Sequence, residues 1–218
     1  MKAETLTYLA EILDQLPDQW PKTRIHNIVF HGHSVPAGYF ATPRVDMENA
    51  YPAVVRREVL SRFPFAILNF IVTAIGGEHS ETGAARFEEE VLCHNPEILF
   101  IDYGLNDRMI GLERAEAAWR SMIEKALAKG IKVILLTPSW DNNFFKQNED
   151  WKALEAHAEL IRRLADEYGV GLSDTFAAFE KYVEKGEDAV NLLSHVNHPS
   201  RLGHELIARE ITKFFLAR

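Results

Sequence analysis

The stretch Ile25-His26-Asn27-Ile28-Val29-Phe30-His31-Gly32-His33-Ser34-Val35-Pro36-Ala37-Gly38 decides the fold. Its first half holds three contiguous apolar residues, two of them β-branched, and predicts a strand over 25–31. A short run with no polar alternation suits a strand covered on both faces, which is the habit of parallel sheets. Its second half swaps apolar residues for glycine, serine and proline, so the chain turns sharply at the carboxyl end of that strand.

Working outward, similar runs predict strands over 65–74, 98–103 and 132–137, with a weaker fifth over 170–174. Between them the period changes to that of a helix over 49–62, 112–129, 149–168 and 200–216, and a further helix over 6–16 precedes everything. Asn148 and Gly169 bracket the third of these as N-cap and terminator. Strand and helix in alternation mean a parallel sheet with helices on both faces, a three-layer α/β/α sandwich. At 218 residues, with no linker or repeat, a single domain over 24–218 is expected, with 1–23 as a helical extension packed on it.

Composition narrows the classes. Apolar residues are 47% and charged residues 26%, which excludes a disordered chain. The net charge of −8, with no run of Lys or Arg, argues against a nucleic-acid partner. The lone Cys93 excludes an internal disulfide. The longest apolar stretch, 63–75, is broken by Pro64 and Asn69 and is too short to span a bilayer, and acidic residues interrupt the first twenty positions where a secretory leader would be apolar. The expectation is a cytoplasmic protein with no membrane partner.

Ligands of such sheets sit beyond the carboxyl ends of the strands. There the chain places Ser34 after the first strand, Gly76-Gly77 after the second and Asn106 after the third, and His198 precedes the last helix. These residue types suit acyl transfer. A serine hydroxyl needs a base to take its proton, and histidine does this near neutral pH. The resulting oxyanion needs preorganised donors, which the N–H groups of Ser34 and Gly77 and the Asn106 amide can supply. The Gly-x-Ser-x-Gly elbow of another esterase fold is absent, since Pro36 stands two positions after the serine.

The chain resembles the SGNH hydrolases, also called the GDSL esterase/lipase family. Gly32-His33-Ser34 matches the serine block, Gly77 the glycine block with Arg86-Phe87 at the family's spacing, Gly104-Leu105-Asn106-Asp107 the asparagine block, and His198-Pro199 leading to Gly203-His204 the histidine block. The resemblance implies a flavodoxin-like five-stranded sheet of order 2-1-3-4-5. It also implies hydrolysis of a carboxylic ester without a cofactor, with Ser34 as nucleophile, His198 as base and Ser34, Gly77 and Asn106 as the oxyanion hole. Two positions depart from the family: His33 replaces an aspartate before the serine, and His195 replaces the acid three residues before His198. We therefore expect His195 to orient His198, or a backbone carbonyl, Asp174 or Glu78 to take over that task. The aromatic loop 138–148 predicts cleft-wall roles for Trp140 and Asp141, with Tyr39 and His33 as further substrate contacts. A small acetylated carbohydrate or other polar alcohol ester is the expected substrate. The alternatives are a weakened site that binds acylated or sugar ligands, and a metal-dependent hydrolase built on His31, His33, His195 and His198.

Overall fold

Strand β1 (Ile25–Gly32) lies inside the sheet, and its contiguous apolar residues serve both faces: Ile28 and Phe30 enter one core cluster and Val29 the other. The computed structural model describes residues 1–216. Its other strands are β2 (Ile67–Val72), β3 (Ile98–Asp102), β4 (Lys132–Leu136) and β5 (Gly171–Ser173). All pair in parallel, in the order β2-β1-β3-β4-β5. β3 is buried throughout, as the unbroken apolar run predicts, whereas edge strand β2 is only half-buried.

One face carries α3 (Tyr51–Arg62), α8 (Thr175–Glu184) and α9 (Arg201–Thr212). Val55 and Val59 of α3 and Ile207 and Ile211 of α9 meet Phe30, Phe100 and Ile134 there. The other face carries α4 (Ser80–Ala85), α5 (Phe87–Glu90), α6 (Leu112–Leu127) and α7 (Glu149–Tyr168). Trp119, Met122 and Ile123 of α6 and Ile161 and Leu164 of α7 close over Val29, Leu99 and Val133. Asn148 caps α7 by accepting the Trp151 N–H at 3.1 Å, and Gly169 ends it at φ +64. Ser200 caps α9 by accepting the Gly203 N–H at 3.2 Å.

Three elements differ from the sequence reading. The segment 6–16 holds only one α-turn, α1 (Ala10–Leu13). Bonds from Ala10 to Thr7, Ile12 to Leu9, Gln15 to Ile12 and Leu16 to Leu13 wind it more tightly, yet Leu9, Ile12, Leu13 and Leu16 are all buried in the main core. Helix α8 follows β5 directly, capped by Asp174, and was not anticipated. β2 is shorter than its apolar run because pairing with β1 begins at Ile25 opposite Ile67.

Two features at the end of β1 set the stage for the site. At the end of β1, a Cβ on Gly32 would stand 2.4 Å from the Asp102 carbonyl of β3, so only glycine lets the two strands stay paired there. Beyond it begins the single turn α2 (Ser34–Ala37), with His33 as N-cap.

Candidate active site

Ser34 opens α2 just beyond the carboxyl end of β1, and its hydroxyl lies 2.9 Å from Nε2 of His198. Both side chains are buried, at 6% and 3% exposure, so the pair is shielded but reaches the surface. His198 arrives from the opposite end of the chain, held by the bridge between Leu193 and Pro199 and by the Ser194 N–H on its carbonyl at 3.0 Å. The Tyr39 ring stacks on the imidazole with centroids 6.0 Å apart.

Burial holds the His198 pKa below the ordinary histidine value. Nearby His33 pushes the same way, the Phe40 carbonyl pulls back, and His195 adds a smaller push downward. The neutral imidazole, the form that accepts a proton, is therefore favoured. Nδ1 of His198 has no hydrogen-bond partner among the described residues, so the Phe40 carbonyl acts from outside hydrogen-bond geometry.

Three donors face the serine's surroundings. Neither the Ser34 nor the Gly77 N–H has a partner among the described residues. Gly77 sits at φ +84, a conformation that a side chain disfavours, with open space where a Cβ would be. Asn106 spends one amide hydrogen on the Glu78 carbonyl at 2.8 Å, which ties the β3 and β2 loops together and leaves its second hydrogen free. Ser34, Gly77, Asn106 and His198 line one cleft of about 420 Å³, whose remaining wall includes Tyr39, Thr42, Met109 and Asn197.

A half-buried scaffold stands behind the Gly77 loop. Glu78 accepts from Arg86 at 2.5 Å and from the Tyr103 hydroxyl at 3.2 Å, and Arg86 also donates to the Thr73 carbonyl at 2.7 Å. Asp107 takes the Ser80 N–H at 2.7 Å and the Trp119 indole N–H at 2.6 Å, which locks the Asn106 loop against α4 and α6. Burial raises the Asp107 pKa, and the two donors pull it partly back. Sequence reasoning had marked Arg86 only by its spacing. Tyr103, Thr42, Met109 and Asn197 carried no signal, since nothing periodic or motif-like marks them.

Other expected site residues lie elsewhere. Trp140 is 3% exposed and stacked among Phe144, Trp151, Phe176 and Phe179, so it is core rather than cleft wall. Asp141 is buried too, pairing with Arg108 at 2.7 Å and capping the turn at Asn143, so it does not reach the cleft. His195 is exposed and makes no bond to His198. Asp174 is spent on Arg162, Thr137 and the α8 cap, and Glu78 on Arg86 and Tyr103, so neither replaces the missing acid. His33 lies beneath Ser34 rather than in the cleft wall. His31 turns to Thr73, Gly83 and Tyr103, and among the described residues no group of three His, Cys, Asp or Glu side chains is arranged to hold a metal ion.

Known proteins agree with this architecture. The profile of the GDSL-like Lipase/Acylhydrolase family matches residues 30–206. An acetylxylan esterase of Geobacillus stearothermophilus is 28% identical over 174 residues, covering 73% of this chain and 77% of that protein. The crystal structure of Axe2, an acetylxylan esterase of the same organism, superposes with a TM-score of 0.75 at 23% identity, over 88% of this chain and 95% of the other. A two-domain esterase active on acetylated mannans superposes with a TM-score of 0.74 at 21% identity, over 96% of this chain and 52% of the other. The solved catalytic mutants of Axe2 change a serine, a histidine and an aspartate to alanine. The structural likenesses carry the fold, and the profile match over most of the chain carries the family. The chain belongs to the GDSL-like lipase/acylhydrolase family and is a carboxylic ester hydrolase of the serine, SGNH type.

Proposed function

We propose that this enzyme removes short acyl groups, acetyl first among them, from a carbohydrate or another small polar alcohol. The observation that carries the reading is the 2.9 Å contact between Ser34 Oγ and His198 Nε2 at the floor of a cleft that also holds Gly77 and Asn106. Ser34 attacks the ester carbonyl while His198 takes its proton. The N–H groups of Ser34 and Gly77 and the free amide hydrogen of Asn106 receive the oxyanion. His198 returns the proton to the leaving alcohol and then activates water against the acyl-enzyme. No step calls for a cofactor.

The small cleft supports a short acyl group, and Thr42, Asn106 and Asn197 offer polar partners to a hydroxylated alcohol. The acetylxylan and acetylated-mannan esterases among the relatives point to the same substrate class. His195, exposed where the family carries its acid, favours a slow enzyme over a fast one.

Steady-state hydrolysis of p-nitrophenyl acetate, p-nitrophenyl octanoate and acetylated xylooligosaccharides tests the proposal. Turnover of the acetyl esters is expected to exceed that of the octanoyl ester, to survive a chelator, and to fall about 10³-fold or more in Ser34→Ala and His198→Ala. Acetyl ester hydrolysis untouched by Ser34→Ala would sink the mechanism.

A further inference from the structure

Ser34 Oγ has two imidazole neighbours: Nε2 of His198 at 2.9 Å, and Nδ1 of His33 at 3.4 Å. Only one of them is backed by a carboxylate. Nε2 of His33 lies 3.5 Å from Oδ1 of Asp102, within ion-pair reach but outside hydrogen-bond geometry, and Oδ2 of Asp102 accepts the Tyr51 hydroxyl at 3.1 Å. His33, Asp102 and Tyr51 are all buried, and the His33 N–H also bonds the Asp102 carbonyl at 3.3 Å. The Val35 N–H donates to Nδ1 of His33 at 3.3 Å, which marks that nitrogen as the acceptor. In the neutral ring the proton then sits on Nε2, facing Asp102. Carboxylate, imidazole and serine hydroxyl thus stand in a row behind the nucleophile, while His198 has no acid at its back.

We propose that His33, positioned by Asp102, is a second general base for Ser34. The inference rests on Ser34 being the nucleophile. In this route the Oγ–carbon bond forms, the carbonyl electron pair moves onto the oxygen in the oxyanion hole, and the Ser34 proton passes to Nδ1 of His33, displacing the Val35 N–H from that lone pair. The imidazolium so formed faces the Asp102 carboxylate, the partner that stabilises such a charge. The tetrahedral intermediate then expels its leaving group as an anion. His33 does not line the cleft, so it has no access to a departing alcohol or to an attacking water. Those tasks stay with His198. His33 therefore serves acylation by esters whose leaving group departs unprotonated, and not deacylation.

A plainer role for His33 is to cap α2 through the Val35 N–H. Asparagine caps at least as well but is no base, so His33→Asn separates the two roles. Rapid mixing of p-nitrophenyl acetate with His198→Ala is expected to release about one equivalent of nitrophenolate and then stall, with an acetyl group on Ser34 by mass spectrometry. Adding His33→Asn is expected to slow that burst tenfold or more, within the usual range for loss of a general base. Adding Asp102→Asn instead is expected to slow the burst at saturating ester while leaving the concentration for half-saturation in place. Should His33→Asn fail to fold, His33→Ser, another good cap, makes the same comparison. A burst equally fast with and without His33, or no burst in His198→Ala, would overturn the proposal. Turnover that persists in Ser34→Ala would instead overturn the nucleophile reading beneath it.

Discussion

At position 195 an exposed imidazole stands where the family carries an acid, and Nδ1 of His198 goes without a partner. An acid there would orient His198, the proposed base, and stabilise its imidazolium, an effect worth up to about 10⁴-fold in turnover elsewhere. His195→Asp is therefore expected to raise kcat on acetyl esters about tenfold or more with little change in KM, and a steady-state comparison with the wild type checks it. Asn106→Ala removes the proposed oxyanion donor and the tie to the Glu78 carbonyl together. It is expected to lower kcat by about 10²–10³-fold, an effect carried by the rate rather than by KM. The meeting of Ser34, Gly77, Asn106 and His198 in one cleft was legible because each follows or precedes a recognisable apolar run, and parallel topology sends all such points to one rim of the sheet. Trp140 and Asp141 were not. A Trp in an aperiodic loop reads as a cleft wall until Phe176 and Phe179, more than thirty positions later, close around it.

Elements carry the next set of constraints. Trp140→Ala is expected to cost about 3–5 kcal/mol of stability by leaving a hole among four aromatic rings, while KM for p-nitrophenyl acetate stays near the wild-type value. Urea unfolding and steady-state kinetics on the same preparation separate the two effects. Gly32→Ala forces a methyl group against the Asp102 carbonyl where β1 and β3 pair. A destabilisation of about 1–3 kcal/mol is expected, with the loss of activity following from the shift of Ser34 two positions on. The long helices were readable from their period and caps, as Asn148 and Gly169 show for α7. Helix α8 was not, although Phe176, Phe179 and Val183 recur at helical spacing, because β5 is only three residues long and the boundary between them was hidden. Segment 6–16 has helical periodicity, but its i→i−3 bonds wind it too tightly to continue as an α-helix.

At the scale of the whole molecule, strand positions were readable from apolar runs, and the strand order followed only from resemblance to the family. Periodicity says which face a residue takes, not which strand lies beside it. Buried imidazoles bind the molecule's stability to pH. Burial lowers His31 to about 3, helped by Arg86, lowers His157 to about 4, helped by Arg108, and lowers His204 to about 3, helped by His198. Below about pH 6.5 the unfolded chain takes up protons at these positions that the folded chain refuses until pH 4 or lower. Each such histidine then favours unfolding by about 1.4 kcal/mol per pH unit, so this part of the stability is whole above pH 6.5 and is lost as the pH falls. Urea midpoints measured from pH 7.5 to pH 5 are expected to drop steadily, and a flat profile would contradict the burial of these rings in neutral form. The N-terminal segment ties the molecule together over a different kind of distance. Tyr8 bonds the Val133 N–H, Ala3 bonds the Val170 carbonyl, and Leu9, Ile12, Leu13 and Leu16 share a core with Ile134 and Phe214. On a ribosome adding roughly 5–20 residues per second, that apolar strip emerges on the order of ten seconds before its seat, completed by Phe214, exists. The nascent chain must carry it uncovered for that interval.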